Sequence, residues 1–443
     1  RFENGNPRND VAVDPSAQGA FHGGDLAGLT KRLDSLAQLG VTALWITPLV
    51  KNIDGFVTGA GFPDWGYHGY WADDFTRLDP RFGTLAELRA FVKAAHARKL
   101  KVLLDVVYNH AGYGSQYLTN PRTREWLRSG EGCGQDELTS CLAGLPDFKT
   151  ERPEVAKFLL DAQLGWAKKS GVDGFRLDTV KHVDHPFWTQ HRARVRRELK
   201  PGFFLLGEVW GSDAAGMDPW FKRDELDAGF DFSFQGSVLG FLQGRGRTVA
   251  FDRYLAQRHR VREGYLLAHY LSSHDVPGAL HQLGGDVEAF KLAALLQLTT
   301  LGLPTIYYGE ELGRRGGAWP HNRSDMPARG DEALRSFYRR LIATRRAHPA
   351  LSRGTHRGLA TEGDVYAFAR QDAASGDGVI VVVNRGKVPG RISLAPLPEW
   401  GAREVVDALG GGAVPRKERL ELEVAARSAL ILTAGKQEVI WPE

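Results

Sequence analysis

Through the first 347 residues, apolar positions alternate between helical spacing and short continuous runs. Five leucines from Leu26 to Leu39 recur three or four positions apart, and Gly40 ends the pattern, which predicts a helix. An apolar run follows at 41–46 and stops before Pro48, as in a buried strand. The same succession predicts helices at 84–99, 153–169, 186–199, 287–301 and 331–347. It predicts further strands at 101–107, 172–177, 203–206, 230–234, 265–271 and 303–308.

Strands and helices that alternate in this way form a parallel sheet, and the predicted fold is a (β/α)8 TIM barrel. Polar residues follow the strands directly, on the face where such barrels hold their active sites. Seven barrel strands are predicted. The first strand of the barrel is expected to precede Arg1, and the apolar segment 438–441 is an alternative that could close the barrel.

Two stretches break the alternation and predict further domains. Residues 111–149 are long and irregular, and such a stretch inside a compact domain is usually functional. After Pro349, short apolar runs between Gly, Pro and Asp turns predict an antiparallel β-sandwich. The predicted organisation is a barrel at 1–110 and 150–348, an inserted domain at 111–149 and a C-terminal β domain at 349–443.

The composition narrows the classes of partner. The chain has 443 residues, 42% hydrophobic and 25% charged, as in ordinary globular proteins. No apolar run approaches the roughly 20 residues that span a bilayer, so no membrane partner is predicted. The net charge is only +4 and the arginines at 192–197 lie on an amphipathic helix, so no nucleic-acid partner is predicted. The polar start at Arg1 predicts no signal peptide within the chain.

The chain contains two cysteines, Cys133 and Cys141, in one glycine-rich segment. Two thiols eight residues apart in a loop favour a disulfide, and with it a secreted or periplasmic protein. The alternative is a pair of free thiols in a cytoplasmic protein. A structural zinc site is not predicted, because no further Cys or His pair has the spacing of a four-ligand set.

Four predicted strands end in acids or in residues that support acids. These are Asp105 with Asn109 and His110, Arg176 with Asp178, Glu208, and His274 with Asp275. Side chains alternate along a strand, so Arg176 and Asp178 point the same way, and the guanidinium keeps the carboxylate ionised and oriented. A structural ion pair is the alternative, but so many charged groups at successive strand ends are costly to place in a core.

Several carboxylates on one barrel face suit the cleavage of a glycosidic bond. One carboxylate attacks the sugar, a second protonates the leaving oxygen, and a third stabilises the oxocarbenium-like transition state. Histidines can hydrogen-bond sugar hydroxyls, and aromatic rings offer flat faces to pyranose rings. The candidate sugar-binding residues of these types are Tyr67, His68, Tyr70, Trp71, His110, Trp210 and His274.

These motifs resemble those of the α-amylase family, glycoside hydrolase family thirteen. The segments Asp105-Val-Val-Tyr-Asn-His110, Gly174 to His182, Gly207-Glu-Val-Trp210 and Ser272-Ser-His-Asp275 resemble its four main motifs in order. Residues 40–48, 145–148 and 302–310 resemble three lesser motifs. The resemblance runs from residue 1 to about 345. It implies a barrel (domain A) with an inserted domain B, and the terminal β module fits the family's domain C.

The resemblance implies a role for each matching residue. Asp178 would be the nucleophile, Glu208 the general acid/base and Asp275 the stabiliser of the transition state. Arg176 would orient Asp178. Sugar hydroxyls and rings would be bound by Tyr70, His110 and His274 on one side of the cut, by Lys181 and His182 on the leaving-group side, and by Asp325 and Arg329 at the next sugar outward.

The resemblance also implies a structural calcium ion between domain B and the barrel. Its ligands would be Asn109, Asp147 and the main-chain oxygens of Thr139 and His182. Calcium takes about six to eight oxygen ligands, which these residues and water could supply. The alternative for Asp147 is a turn cap. The pair Cys133 and Cys141 matches a domain B disulfide of secreted amylases.

The implied function is a retaining hydrolase that cleaves α-1,4-glucosidic bonds of starch and maltooligosaccharides by double displacement, with an α-glucan as its partner. One residue departs from the typical α-amylase pattern. Ser273 stands where Asn is usual, and Ser-His-Asp resembles neopullulanases and cyclomaltodextrinases. Those activities, or a 4-α-glucanotransferase on the same substrates, are the alternatives. A non-catalytic glucan-binding relative is disfavoured because all three acids are present.

Overall fold

The chain forms two compact units in the computed structural model, which describes residues 1–415 and 417–435. The first unit comprises Arg1–Ala37, Val41–Trp210 and Met217–Phe230; the second comprises Gln38–Gly40, Gly211–Gly216 and the chain from Asp231 onward. The segment 438–441, the alternative for closing the barrel, lies outside the described residues. No helix in the described ranges combines the length and the apolar character needed to cross a bilayer.

Helices and strands alternate along the first unit. The helices that begin in it are α1 (Leu26–Leu39), α2 (Leu85–Ala97), α3 (Gln116–Thr119), α4 (Pro153–Ser170), α5 (His185–Glu198) and α6 (Asp218–Lys222). Its strands are β1 (Ala43–Ile46), β2 (Val50–Asn52), β3 (Ala72–Leu78), β4 (Lys101–Val106), β5 (Leu127–Arg128), β6 (Asp147–Phe148), β7 (Gly174–Leu177), β8 (Phe204–Gly207) and β9 (Ala228–Phe230). The local sequence determines where several of these helices begin or end. Thr84 and Glu87 form a reciprocal capping box before α2, and Gly171 ends α4 in the left-handed conformation, at φ 78°.

Five strands of the first unit form one parallel sheet in the order β1-β4-β7-β8-β9. The register pairs Asp105 of β4 with Arg176 of β7, and Leu177 of β7 with Gly207 of β8. Asp178 and Glu208 therefore follow directly at the carboxyl ends of two neighbouring strands. This is the parallel order that the alternating sequence pattern predicts.

The inserted stretch 111–149 contains little regular structure. It holds α3 and the two-residue strands β5 and β6, which pair with each other. Tyr117 packs its ring 5.7 Å from that of Phe148 and 5.9 Å from that of Phe75 on β3, so an aromatic cluster anchors the stretch. Cys133 and Cys141 form a disulfide within it, with their Cα atoms 5.6 Å apart.

The second unit opens with further helices and two parallel strands. Its helices are α7 (Phe234–Leu242), α8 (Thr248–Arg258), α9 (Ala279–Gln282), α10 (Val287–Thr299), α11 (Glu332–Ala347) and α12 (Pro349–Arg353). Strands β10 (Leu266–Tyr270) and β11 (Leu303–Thr305) pair in parallel, with Ala268 opposite Leu303. Every residue of α10 from Leu292 to Thr299 is buried, as expected for an apolar helix that lies between other layers.

An antiparallel β module ends the described chain. Its strands are β12 (Thr355–Ala360), β13 (Val365–Asp372), β14 (Asp377–Asn384), β15 (Gly390–Leu394), β16 (Val405–Asp407), β17 (Ala413–Val414), β18 (Leu420–Val424) and β19 (Ser428–Ala434). Six of them form a sheet in the order β12-β13-β14-β19-β16-β17, and β15 pairs with β18. Both sheets contribute to one core, through residues such as Ile380, Val382, Leu422 and Val424. The predicted antiparallel module is confirmed.

Some predicted elements were wrong in position, and others were missed. The strand predicted at 230–234 ends at Phe230, because the Asp231 carboxylate accepts the N–H of Ser233 at 3.0 Å and turns the chain into α7. Most of the missed elements are short, so their apolar pattern is weak. The missed elements are β2, β3, β5, β6, β12 and β17 among the strands, and α3, α6, α8, α9 and α12 among the helices.

Candidate active site

One buried guanidinium joins three carboxylates at the ends of β4, β7 and β8. Arg176 Nη1 donates to both oxygens of Asp105, at 3.1 Å each, and to Asp178 Oδ1 at 2.6 Å. Its Nη2 lies 3.1 Å from Glu208 Oε2. The exposed fractions of the Arg176, Asp178 and Glu208 side chains are 2%, 8% and 9%. The structure thus places Arg176 on Asp178 as the strand spacing predicts, and the same group also reaches Glu208.

Opposite charges in this cluster stabilise the ionised forms of the side chains. Burial alone disfavours the charged form of Arg176, but attraction to Asp105, Glu208 and Asp178 outweighs burial and raises the pKa of Arg176 well above its usual value. Burial also raises the pKa of the Asp105 carboxyl, and the Arg176 guanidinium opposes that rise. Trp45 Nε1 and Tyr70 Oη donate to Asp105 Oδ2 at 2.9 and 2.8 Å. Asp105 is therefore engaged in holding Arg176 and Tyr70.

Two groups hold the Oε2 oxygen of Glu208. Oε2 accepts the main-chain N–H of Thr179 at 2.9 Å in addition to its contact with Arg176. Thr179 is left-handed, at φ 49°, a conformation that costs a β-branched residue about 1–3 kcal/mol. Gly207 has no room for a side chain, since an added Cβ would lie 2.4 Å from Leu226 Cδ1. The two donors thus fix the orientation of the Glu208 carboxyl group through Oε2.

Two predicted sugar-binding side chains lie against this cluster. Tyr70 reaches it through Asp105, and its ring stacks on His68 with centroids 5.6 Å apart. His110 is buried, and its Nε2 has no hydrogen-bond partner among the described residues. Burial lowers the pKa of His110, although the charge of Asp178 opposes that effect. A neutral imidazole with an unused nitrogen is suited to a sugar hydroxyl.

The inserted stretch supplies a residue that sequence reasoning missed. Glu137 Oε1 lies 2.7 Å from Lys181 Nζ, and the Glu137 carbonyl oxygen lies 2.7 Å from His182 Nδ1. Glu137 therefore fixes both residues that were predicted for the leaving-group side. Trp210, which follows β8, is 46% exposed and offers its ring to solvent. Nothing in the hydropathy pattern marks Glu137, because it lies in the irregular stretch.

The Ser-His-Asp motif follows β10 in the second unit, where it makes its own set of contacts. His274 Nε2 lies 3.0 Å from Asp275 Oδ2. Ser273 Oγ accepts the main-chain N–H of Asp275 at 3.1 Å, so the residue that departs from the α-amylase pattern closes the local turn. Ser272 Oγ donates to Glu310 Oε1 at 2.5 Å, and burial raises the pKa of Glu310 to about 7. Hydrogen bonds of Ser272 and Ser273 thus fix the segment that carries His274 and Asp275.

The loop before α11 holds two predicted residues and two that were missed. Asp325 and Arg329, predicted for the next sugar outward, are both exposed. Asn322 Nδ2 and Arg323 Nε donate to the carbonyl oxygen of His274, at 2.8 and 2.7 Å. The only sequence signal for Asn322 and Arg323 was the density of polar residues after the last barrel strand.

Two of the predicted calcium ligands, Asn109 and Asp147, lie in contact with each other. Asn109 Nδ2 donates to Asp147 Oδ1 at 2.9 Å, and the Cys141 N–H donates to Oδ2 at 3.0 Å. The Thr139 carbonyl accepts the Gly134 N–H at 2.7 Å. Within the described ranges, no group of three or more His, Cys, Asp or Glu residues could hold a metal ion. The oxygen chemistry of Asn109 and Asp147 fits calcium, but the Asn109 amide has its nitrogen turned toward the carboxylate. The calcium site stays a prediction.

Comparison with known proteins identifies the family. The family model for the α-amylase catalytic domain matches residues 1–128 and 128–340. Neopullulanase 2 of Thermoactinomyces vulgaris is 33% identical over 473 aligned residues, which cover 98% of this chain and 76% of that protein. A cyclomaltodextrinase of Geobacillus thermopakistaniensis is 32% identical, over 90% of this chain and 69% of its own.

A solved structure extends the similarity to the fold. An α-amylase of Anoxybacillus superposes with a TM-score of 0.88 and 31% identity, covering 99% of this chain and 96% of its own. This similarity and the observed sheets confirm the predicted fold class, a (β/α) barrel followed by an antiparallel β domain. The chain belongs to the α-amylase family of glycoside hydrolases.

Proposed function

We propose that this chain is a retaining α-glucan hydrolase with the substrate range of neopullulanases and cyclomaltodextrinases. The observation that carries the proposal is Arg176, whose guanidinium lies 2.6 Å from Asp178 and 3.1 Å from Glu208. Two carboxylates fixed on neighbouring strand ends suit double displacement at one sugar. The similarity to neopullulanase 2 and to a cyclomaltodextrinase supports the substrate range, as does Ser273.

In the first step, an Asp178 oxygen attacks the anomeric carbon while Glu208 gives its proton to the glycosidic oxygen, and the bond between that carbon and oxygen breaks. The products are a β-glycosyl ester on Asp178 and a shortened glucan. Arg176 favours the ionised form of the nucleophile because its Nη1 donates to Asp178 Oδ1. Thr179 and Arg176 orient the Glu208 carboxyl group for this proton transfer, because both donate to Oε2.

In the second step, Glu208 takes a proton from water as the water oxygen attacks the anomeric carbon. The ester bond breaks, Asp178 is restored as a carboxylate, and the product keeps the α configuration. Asp275 is proposed to stabilise the positive charge that develops on the sugar in both transition states. If a sugar hydroxyl replaces the water, the same intermediate gives transglycosylation.

We assign sugar recognition to histidines that bind hydroxyls, to an aromatic ring, and to further side chains. His110 and His274 bind hydroxyls, and the free Nε2 of His110 supports this role. Tyr70 offers its ring to the sugar at the cut, and Asp105 holds its hydroxyl in place. The remaining proposed contacts are His68, Trp210, Lys181 and His182, with Asp325 and Arg329 further outward.

An α-amylase that prefers starch is the second candidate function. The structure of the Anoxybacillus α-amylase supports this candidate, because the superposition covers 99% of this chain and 96% of that protein. Ser273 and the similarity to neopullulanase 2 and to a cyclomaltodextrinase favour the cyclodextrin- and pullulan-cleaving range more strongly. The two candidates share every catalytic residue, so substrate preference separates them.

A product profile tests the choice between these candidates. The purified chain is given β-cyclodextrin, pullulan, soluble starch and maltotriose at equal mass, and released sugars are separated with time. We expect kcat/KM for cyclodextrin to exceed that for starch by at least about tenfold. We also expect pullulan to yield trisaccharides that keep the α-1,6 bond. Asp178→Asn protein is the control for contaminating activity. Faster cleavage of starch with intact cyclodextrin would favour the α-amylase, and no reducing sugar from any substrate would end the hydrolase proposal.

Calcium is proposed as a structural ion held by Asn109 and Asp147 with the main-chain oxygens of Thr139 and His182. Chelation followed by desalting is expected to lower Tm by about 3–6 °C, because a ligand that binds only the folded state stabilises it. Added calcium should restore Tm in the wild type but not in Asp147→Asn. Asp54→Asn is the matched control, since 85% of that side chain is exposed. An unchanged Tm after chelation, with no heat of calcium binding, would rule out the site.

A secreted or periplasmic location is proposed as well. The disulfide between Cys133 and Cys141 supports it, because such bonds persist mainly in oxidising compartments.

A further inference from the structure

The carboxylate of Asp275 has a partner on each oxygen within the second unit. His274 Nε2 lies 3.0 Å from Oδ2, and Arg323 Nη2 lies 3.3 Å from Oδ1. The exposed fraction of the Asp275 side chain is 28%, against 15% for Arg323. An acid with so much solvent access would sample several rotamers without such partners. The two contacts therefore select one orientation of the carboxylate.

Arg323 also fixes the backbone beneath that carboxylate. Its Nε donates to the carbonyl oxygen of His274 at 2.7 Å. Asn322, one residue earlier, donates from Nδ2 to the same carbonyl at 2.8 Å and to that of Val276 at 3.2 Å. A planar guanidinium that bonds a side chain and the adjacent main chain holds both at once, which a lysine cannot reproduce.

We propose that Arg323 is a positioning residue for Asp275, and so for the transition-state charge stabilisation that the proposed function assigns to Asp275. This inference rests on that proposed function. A carboxylate that acts mainly on developing positive charge contributes more to the transition state than to the bound substrate. Loss of its orientation should therefore reduce kcat and leave KM nearly unchanged.

The test compares Arg323→Gln and Arg323→Lys with the wild type on the best glucan substrate. We expect Arg323→Gln to lower kcat about 30- to 100-fold, with KM within about twofold of the wild-type value. The kcat of Arg323→Lys should lie between those of the wild type and Arg323→Gln. Added guanidinium ion at millimolar concentration should raise kcat of Arg323→Gln several-fold and leave the wild type unchanged. Arg391→Gln is the matched control, since Arg391 pairs with Glu423 at the surface and 86% of its side chain is exposed.

A double-mutant cycle with Asp275→Asn separates positioning from a general structural role. If Arg323 acts through Asp275, adding Arg323→Gln to Asp275→Asn should have less than about a twofold further effect. Equal losses in both backgrounds, or a kcat of Arg323→Gln within twofold of the wild type, would overturn the proposal. A wild type without activity would instead refute the proposed function. In that case a crystal structure of Arg323→Gln tests the positioning role by itself. An Asp275 rotamer unchanged from the wild type would contradict that role.

Discussion

Replacing Asp178 with Asn is expected to lower kcat by at least about 10⁴-fold on every α-glucan that the wild type cleaves. A neutral amide cannot form the glycosyl ester, so the first bond-making step is lost. The change is nearly isosteric, and the amide oxygen can still accept from Arg176 Nη1, which lies 2.6 Å from Asp178 Oδ1. The loss should therefore appear in kcat with little change in KM or in Tm. Initial rates on maltooligosaccharides and a thermal melt measure both.

The corresponding substitution at Glu208 distinguishes the general acid/base from the nucleophile. Glu208→Gln should lose most activity on natural glucans but keep far more on an aryl glucoside, whose leaving group needs no proton. Added azide should then raise the rate of Glu208→Gln, because azide can attack the glycosyl ester without a general base, whereas Asp178→Asn should not respond. Asp54→Asn serves as the control for an exposed acid. Wild-type kcat in Asp178→Asn would refute the assignment of the nucleophile.

The elements that carry strong local signals could be predicted from the sequence. Helix α1 ends at Leu39, where the leucine period stops before Gly40. Helix α2 begins after Thr84, where the capping box satisfies its first N–H groups. Strand β18 spans Leu420–Val424, where apolar and acidic residues alternate along the sequence. In each case, neighbours within a few residues determine the structure.

The contacts at the site depend on register between strands far apart in sequence, and local pattern does not encode that register. Asp105 and Arg176 are Cα partners because β4 and β7 pair in one particular alignment. A shift by one residue would turn one of them to the other face. Sequence reasoning found the acids because they follow strands, but it could not show that one guanidinium serves Asp178 and Glu208 together. Arg323 was missed because it lies in a loop, 48 residues from Asp275 in sequence, where no periodic pattern marks it.

Removing Arg176 is expected to damage both stability and catalysis. Asp105, Asp178 and Glu208 would be left as buried carboxylates without their shared cation, and breaking a buried ion pair costs about 3–5 kcal/mol. Arg176→Gln should therefore lower the free energy of unfolding by about that amount and kcat by about 10³-fold or more. Arg176→Lys keeps the charge, but a single ammonium cannot bridge three carboxylates, so it should recover stability better than kcat.

The control for this prediction is a second arginine with comparable partners nearer the surface. Arg194 on α5 pairs with Glu198 and Asp161 at 2.7 Å each, and 16% of its side chain is exposed. Arg194→Gln should cost only about 1 kcal/mol and leave kcat unchanged, because solvent can replace the lost donors. Denaturant melts and steady-state rates for the three variants give both quantities. If Arg176→Gln behaved like Arg194→Gln, the guanidinium would be a dispensable ion pair, and the fixed geometry of Asp178 and Glu208 would need another cause.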